Sequence, residues 1–351
     1  MDGGGNRLLA FNQTEILNVT NNNGTVIFSN DIAAAIRISI LGALTVFGNT
    51  LVVASVIVNK ELRATRYAFM ASLACVDMLS GFYFTAGALL NAAPEIAGND
   101  GHNCVYLLCV LFLLWSTSIF HMVLIAVDRY LIITNPFKYN ETMTRFRCAG
   151  LIAGAWFSGG SVASLPLLGW QSALSLQEGI ICTPSFVMSG EYLMFFCVGV
   201  FLLPLVVMCA LYGKLAHIAF QQRRKIHALH NISNTTRNDL VTVSASTAAA
   251  ASSSQATHSS PVQQNRLKIF KKEMRTTKTL VMILGAFAIC WLPFSLMLVL
   301  EYIYPTFQSA DLDAIAFSMG MGNSALNPVL YALRDVPLRK TLKAILKCQR
   351  V

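Results

Sequence analysis

Charged side chains are scarce in this sequence of 351 residues. Asp, Glu, Lys and Arg together make up 12% of it, whereas a soluble domain carries about 25%. Hydrophobic residues make up 55%, and the mean hydropathy is +0.56. This composition excludes an ordinary soluble domain and predicts a protein embedded in the lipid bilayer.

Seven long apolar stretches account for the composition. Each exceeds the roughly 20 residues that a helix needs to cross the hydrocarbon core. They cover 33–58, 67–93, 104–134, 147–169, 191–221, 274–304 and 311–333. The pattern predicts an all-α membrane protein, a bundle of seven transmembrane helices. An odd number of crossings places the two ends of the chain on opposite sides.

Lys and Arg are missing from alternate connections between these stretches. The connections without them are 94–103, 170–190 and 305–310. Basic residues gather instead in 59–66, 135–146, 222–273 and 334–351. The positive-inside rule therefore predicts a multi-pass plasma-membrane protein with an extracellular N-terminus and a cytoplasmic C-terminus. The net charge of +9 comes from these basic connections, which are expected to lie against the anionic inner leaflet. It does not indicate nucleic-acid binding.

The two ends of the chain differ in character. Residues 1–32 are predicted to be an extracellular tail, without an apolar segment typical of a cleavable signal peptide. N-glycosylation sequons occur there at Asn12, Asn18 and Asn23. Residues 334–351 follow the membrane domain (33–333), and their apolar residues recur at helical spacing among basic ones. This predicts an amphipathic eighth helix with a short C-terminus on the inner membrane surface. Cys348 at its end is either a palmitoylation site or an unmodified thiol.

The long connection before the sixth stretch is rich in small polar residues. Residues 228–265 contain almost no large apolar side chains, so a disordered cytoplasmic loop is predicted. Clustered Ser and Thr, which receptor kinases and arrestin require, occur only in 233–260. We expect phosphorylation and arrestin binding there; the alternative is an inert spacer.

Six of the nine cysteines lie within the apolar stretches, where they are expected to pack as small apolar residues. Cys104 opens the third stretch, and Cys182 lies in the connection after the fourth. Both are predicted to face the oxidising outer compartment, so a Cys104–Cys182 disulfide is expected to hold that connection over the bundle.

Polar residues within the stretches form a recognisable set. Asp128-Arg129-Tyr130 ends the third stretch, where an uncompensated charge costs about 2.5–3.5 kcal/mol. The other stretches carry Gly48-Asn49, Asp77, Trp156, Pro204 with Tyr212, Trp291-Leu292-Pro293 and Asn327-Pro328-Val329-Leu330-Tyr331. Together these marks resemble those of the rhodopsin-like (class A) G-protein-coupled receptors, and the resemblance covers residues 33–348.

The resemblance implies a sodium-and-water pocket around the buried carboxyl of Asp77. Its expected members are Asn49, Asp77, Ser118, Asn323 and Ser324. The alternative is a hydrogen-bonded polar cluster without an ion. No other cofactor is expected.

The resemblance also implies an activation switch. Arg129 is expected to pair with Asp128 and with Glu273. The pair with Glu273 would hold the third and sixth helices together until a G protein binds. The alternative is that Glu273 is only solvated. The other implied members are Ile119, Tyr130, Pro204, Tyr212, Phe287, Trp291, Pro293, Asn327, Pro328 and Tyr331. Phe137 resembles an apolar residue that inserts into a G-protein α subunit, although anchoring to the membrane surface is the alternative.

Alignment of the motifs predicts an apolar, aromatic ligand pocket. Its lining residues are Leu111, Phe112, Trp115, Phe196, Val200, Phe294, Leu298, Phe317 and Met321. Leu111 stands where receptors for monoamines have an Asp, and the seventh stretch has no Lys to bind retinal. Leu298 and Met321 replace the Asn and His of adenosine receptors. The pocket therefore takes an apolar small molecule or lipid, or it is filled by its own side chains in a constitutively active orphan receptor.

The sequence thus predicts a receptor that transduces an extracellular or membrane-borne signal to heterotrimeric G proteins. A ligand-dependent receptor for a lipid or a small molecule other than a monoamine is one alternative, and a receptor-like partner protein that does not signal is another. A transporter is disfavoured because no internal repeat is visible. An enzyme is not expected, because no cluster of metal-ligating residues or nucleophiles is found.

Overall fold

The computed structural model describes residues 32–92, 101–172, 182–218, 284–304 and 310–349, with residues 220, 221, 224, 282 and 307 beside them. The long helices in chain order are α1 (Ile32–Val58), α2 (Thr65–Ala92), α3 (Gly101–Thr134), α4 (Arg145–Ser164), α5 (Gly190–Ile218), α6 (Leu284–Ile303), α7 (Ala310–Arg334) and α8 (Val336–Leu346). Short helical turns are Lys60–Arg63, Tyr139–Thr142, Pro166–Leu168 and Pro184–Val187. The predicted all-α bundle of seven helices with a short eighth helix is confirmed.

Most of the bundle helices are apolar along their whole length. Among the described residues, five helical segments are long and apolar enough to cross a membrane: Ala35–Val58, Thr65–Leu89, Asn103–Thr134, Gly190–Ile218 and Leu284–Ile303. α4 and α7 complete the bundle with more glycine and polar residues.

The fourth helix is shorter than its apolar stretch. The stretch 147–169 predicts a helix to residue 169, but α4 ends at Ser164. Pro166 has no N–H group to donate to the carbonyl of Val162, and the chain tightens into the 3₁₀ turn Pro166–Leu168. Gly169, at φ +114°, ends that turn in a left-handed conformation that glycine adopts readily.

α1 and α2 pack with their backbones in close contact. A Cβ atom added to Gly81 would lie 2.8 Å from the carbonyl oxygen of Gly42, and one added to Gly42 would lie 2.8 Å from the carbonyl of Gly81. Small residues at such crossings allow membrane helices to approach through van der Waals contact. Further along α1, Gly48 makes room for the ring of Pro328 on α7.

α5 contains a π-helical segment over Phe196–Leu202, which the sequence pattern did not predict. Within it the N–H of Leu203 donates to the carbonyl of Val198, five residues back. Pro204 lies just after the segment, within the α-helix that continues to Ile218, and has no N–H group to donate to the preceding turn. The extra residue rotates the helix, so the faces before and after the segment follow different registers.

α8 is fixed to the ends of α1 and α2. The carboxylate of Asp335 accepts from the N–H of Leu338 at 3.0 Å and from the hydroxyl of Tyr67 at 3.2 Å. Asn59 donates through Nδ2 to Thr341 Oγ1 at 2.7 Å. Leu338 and Leu342 are buried, so the apolar face of this amphipathic helix packs against the bundle.

Candidate functional site

Aromatic rings fill the half of the bundle that lies towards Cys104. Trp115 of α3 is at their centre, with ring centroids 4.8 Å from Trp291, 5.1 Å from Phe294 and 5.6 Å from Phe317. Phe112, one turn away, lies 4.7 Å from Phe196. Most of these pairs are T-shaped, the favourable arrangement for aromatic quadrupoles. The rings of α3, α5, α6 and α7 therefore contact one another directly.

All nine predicted pocket residues lie in this region and are buried. The aliphatic members Leu111, Val200, Leu298 and Met321 are each at most 4% exposed. Two further rings belong to the cluster but were missed from the sequence. Tyr192 lies 5.0 Å from Phe112, and Phe84 lies 6.3 Å from Phe317. Their stretches are apolar on every side, so the sequence alone gave no reason to choose these rings over their neighbours.

The segment before α5 is tied across this end of the bundle. Cys104, in the first turn of α3, forms the predicted disulfide with Cys182, with Cα atoms 5.6 Å apart. The turn Pro184–Val187 follows, and its Ser185 hydroxyl donates to the carboxylate of Glu301 on α6. We call this side of the bundle the disulfide end, and the opposite side the Arg129 end.

Asp77 lies at the centre of a polar network in the middle of the bundle. It is fully buried and accepts from Ser324 Oγ at 2.7 Å, Asn327 Nδ2 at 2.7 Å and Ser118 Oγ at 3.5 Å. These bonds join α2, α3 and α7. Asn49 of α1 instead donates to the carbonyl oxygens of Thr45 and Ser324.

The hydrogen bonds to Asp77 differ from the predicted set, because Asn327 is added and Asn49 bonds to backbone carbonyls instead. Asn327 was expected only as part of the switch on α7, yet it donates one of the two shortest hydrogen bonds to Asp77. Asn323 is also buried, at 3% exposure. Pro328 follows Asn327 within α7. Because a proline can kink a helix, residue spacing alone does not show which neighbouring helix the Asn327 side chain faces.

A second aromatic group connects the pocket to residues of the predicted activation switch. Phe287 lies 6.2 Å from Trp291, and Phe201 lies 5.5 Å from Phe287 and 6.3 Å from Trp291. Ile119 and Pro204 are buried in the same core. Phe201 was missed because it lies inside the π-helical segment, where the α-helical register fails.

At the Arg129 end, the predicted pairing of Asp128 with Arg129 is present. Arg129 Nε lies 3.6 Å from Asp128 Oδ2, and both side chains are buried. Asp128 also accepts from the hydroxyl of Tyr139 at 2.6 Å. Burial raises the pKa of Tyr139, and the hydrogen bond to Asp128 and its charge raise it further. The turn Tyr139–Thr142 is thereby attached to the Asp128-Arg129-Tyr130 motif, whose Tyr130 is partly buried against the core.

Two tyrosines of the predicted activation switch lie beside one small cavity. Tyr212 of α5 and Tyr331 of α7 both line it, with Leu73, Met122 and Leu284 among the other walls. Its volume of about 10 Å³ is close to what one water molecule needs.

A buried polar cluster lies between α2, α3 and α4, and it was not predicted from the sequence. His121 donates through Nδ1 to the carbonyl of Thr117 at 2.8 Å, which leaves Nε2 to accept from Ser72 at 2.7 Å. Trp156 donates to Ser72 Oγ at 3.4 Å. The cluster fixes the orientation of Trp156, one of the residues on which the resemblance rests.

The remaining predicted positions fall into two groups. Phe137 is 73% exposed and Cys348 is exposed, as their proposed roles require. Glu273, the glycosylation sequons at Asn12, Asn18 and Asn23, and the loop 228–265 lie outside the described residues. The expected Arg129–Glu273 pair therefore stays a prediction.

Comparison with known proteins agrees with this geometry. The sequence profile of the 7 transmembrane receptor (rhodopsin family) matches residues 48–331. The chain belongs to this family of membrane receptors. The expectations of a class A receptor and of a protein that is not an enzyme are confirmed.

Among individual relatives, the chain is similar to adenosine receptors. It is 28% identical to adenosine receptor A2b of Gallus gallus over 330 residues, which covers 88% of this chain and 86% of the relative. It is 26% identical to adenosine receptor A2a of Canis lupus familiaris over 322 residues, and 26% identical to that of Homo sapiens over 325 residues. Each of these two alignments covers 88% of this chain and 70% of the relative.

Proposed function

We propose that this receptor signals to heterotrimeric G proteins from the plasma membrane. The disulfide end faces the outside, and the Arg129 end faces the cytoplasm. The distribution of Lys and Arg supports this orientation, because the connections next to the Arg129 end carry the basic residues. A buried Asp128–Arg129 pair beside the exposed Phe137 supports a G-protein docking surface at that end.

The pocket is proposed to be occupied by its own side chains, so that the receptor signals without a ligand. The observation that carries this proposal is the ring cluster around Trp115, which joins α3 to both α6 and α7. In a ligand-gated receptor, a bound molecule would supply such contacts between these helices. Here Trp115 supplies them, and it touches Trp291 directly beside the kink that Pro293 introduces.

Adenosine is not the proposed ligand, although the relatives are adenosine receptors. Leu298 and Met321 replace the Asn and His that adenosine receptors have, and both are buried at 4% and 1% exposure. An apolar side chain cannot supply the hydrogen bonds that a purine's polar edge loses on leaving water. If a ligand enters, we propose an apolar small molecule or a lipid.

A sodium ion is proposed at Asp77. The residues present fit a hard cation, since the network offers a carboxylate, two hydroxyl oxygens and amide oxygens. Asn49 Oδ1 is a buried acceptor without a hydrogen-bond partner among the described residues. Bound sodium would supply the positive charge that a buried carboxylate requires. Asp77, Ser118 and Ser324 would hold it between α2, α3 and α7.

The proposal is tested by expressing the full chain in cells without ligand. G-protein dissociation is measured for all four α-subunit classes by energy transfer between α and βγ subunits. We expect a basal signal in at least one class, and its loss in Arg129→Ala at equal surface expression. Trp115→Ala is expected to lower the signal, because it removes the contacts from α3 to α6 and α7.

Silence of the wild type at confirmed surface expression would overturn self-activation. Lipid extracts and adenosine would then be added to the same cells. A response to lipid would establish the ligand-dependent alternative, and a response to adenosine would contradict our exclusion of that ligand. Silence under every condition would favour the receptor-like partner that does not signal.

A further inference from the structure

A groove opens on the outside of the bundle between α3 and α4, in the half towards the disulfide end. Its volume is about 290 Å³. The residues of this α3–α4 groove that matter here are Tyr106, Val110 and Leu113 on α3, and Gly160, Ala163 and Ser164 on α4. The groove is separate from the aromatic pocket, because Leu111 and Phe112 point to the interior from the opposite face of α3.

The bilayer is the medium that this groove meets. Its α3 wall lies within the apolar segment Asn103–Thr134, which is long enough to span the membrane. Tyr106 and Val110 are 56% and 42% exposed, so the groove opens sideways to the surroundings of the bundle. Its occupant therefore comes from the membrane and leaves part of its surface in contact with other lipids.

Gly160 creates the floor of the groove. A Cβ atom added there would meet no other atom within 4 Å, so the space above this glycine is open. The neighbouring Gly159 is different, because it packs against Thr117 of α3. The floor made by Gly160 and Ala163 thus carries no side chain larger than a methyl group, and the packing of Gly159 on Thr117 holds it next to α3.

The distribution of polar groups restricts the kind of lipid. α3 runs inward from Tyr106 to Leu113, and α4 runs outward from Gly160 to Ser164. The hydroxyls of Tyr106 and Ser164 therefore lie towards the outer end of the groove. Leu113 lies about 10 Å deeper than Tyr106, and Gly160 lies about 6 Å deeper than Ser164. None of the six groove residues is charged, so a phosphate or carboxylate headgroup finds no cation here.

We propose that the α3–α4 groove binds a sterol, with its flat ring system on Gly160 and Ala163 and its hydroxyl group beside Tyr106 and Ser164. A flat, rigid, neutral molecule with one hydroxyl suits an apolar floor that has no large side chains and has polar groups at one end. A rigid ligand also loses less conformational entropy on binding than a flexible acyl chain does.

The test uses the full-length receptor in phosphatidylcholine nanodiscs that contain a photoreactive diazirine sterol. After irradiation, labelled peptides are located by mass spectrometry, with and without excess cholesterol. We expect labelling within residues 106–113 and 160–167 that cholesterol suppresses. Gly160→Leu fills the open space and should reduce this labelling about tenfold, because the sterol rings lose their contact with the floor.

Gly154→Leu is the matched control. Gly154 is exposed on the same helix, and its added Cβ would also meet nothing within 4 Å, but it lies outside the groove. This variant should label as the wild type does. Val110→Phe narrows the groove from α3 and is expected to act as Gly160→Leu does, which provides an independent test if one variant folds poorly.

Three results would overturn the proposal. The first is labelling spread evenly along α4, including the surface around Gly154, which would indicate bulk lipid. The second is equal labelling of Gly160→Leu and the wild type. The third is suppression by dioleoylglycerol as effective as that by cholesterol, which would assign the groove to an acyl chain.

Discussion

Asp77 illustrates how one residue holds several helices together. A buried carboxylate is costly in a membrane unless hydrogen bonds or a cation compensate it. Ser118, Ser324 and Asn327 donate to it from α3 and α7, and all three donors are neutral. The charge is therefore solvated by dipoles within the protein, and a cation entering here would bind to an arrangement that is already formed.

The residue-scale prediction is that Asp77→Asn abolishes a sodium effect on stability. We expect the purified receptor to unfold at a higher temperature in NaCl than in choline chloride of equal ionic strength. At sodium tenfold above its Kd, the gain corresponds to about 1.4 kcal/mol. Asp77→Asn keeps the size of the side chain and removes the charge, so its unfolding temperature should not respond.

Asp335→Asn serves as the control for this experiment. Asp335 caps α8 outside the network, and Asn also caps helices well, so this variant should keep the response to sodium. A wild-type receptor that unfolds at the same temperature in both salts would contradict the proposed ion. So would an undiminished sodium response in Asp77→Asn.

At the scale of helices, the contact between α1 and α2 depends on the absence of side chains. Gly42 and Gly81 bring the two backbones so close that added Cβ atoms would lie 2.8 Å from the opposite carbonyl oxygens. Backbone atoms cannot move aside as the end of a flexible side chain can. A methyl group here therefore has to separate the helices.

Gly81→Ala should lower the free energy of unfolding by about 1–3 kcal/mol through overpacking. Gly154→Ala, on the open surface of α4, should not lower it and should raise it by up to about 1 kcal/mol, because alanine is favoured over glycine within a helix. Thermal unfolding in detergent, followed by tryptophan fluorescence, compares the two. Equal stability of both variants would mean that α1 and α2 separate at no cost.

The lengths of the helices follow from the sequence, whereas the rotation of a helix near a proline does not. The apolar lengths of α1, α2 and α3 match their stretches within three residues, because hydrophobic thickness sets both. The π-helical segment of α5 has no such signal, and it changes which side Phe201 faces. The hydrogen bond from Asn327 to Asp77 was not predicted for a related reason. Depth in the membrane is readable from sequence, whereas rotation about a helix axis near a proline depends on packing.

Across the whole molecule, hydroxyl groups that kinases could modify are unevenly distributed. Residues 334–351 contain one Ser or Thr, namely Thr341. It is buried at 2% exposure, accepts from Asn59 and donates to the carbonyl of Pro337. Within residues 33–351, we therefore propose the clusters in 233–260 as the targets of receptor kinases and as the segment that arrestin binds.

Arrestin recruitment and G-protein dissociation are predicted to respond differently when residues 233–260 are changed. We replace every Ser and Thr of 233–260 with Ala, which keeps the loop length and removes the phosphate acceptors. Arrestin recruitment, measured by energy transfer with a receptor kinase coexpressed, should fall to background, because phosphates provide the charges that arginine-rich surfaces bind. Basal G-protein dissociation should remain.

The control is Thr341→Val, which removes the hydroxyl from α8 and should leave recruitment unchanged. Full recruitment by the loop variant would show that the loop is only a spacer, and loss of recruitment in Thr341→Val would move the recognition site to α8.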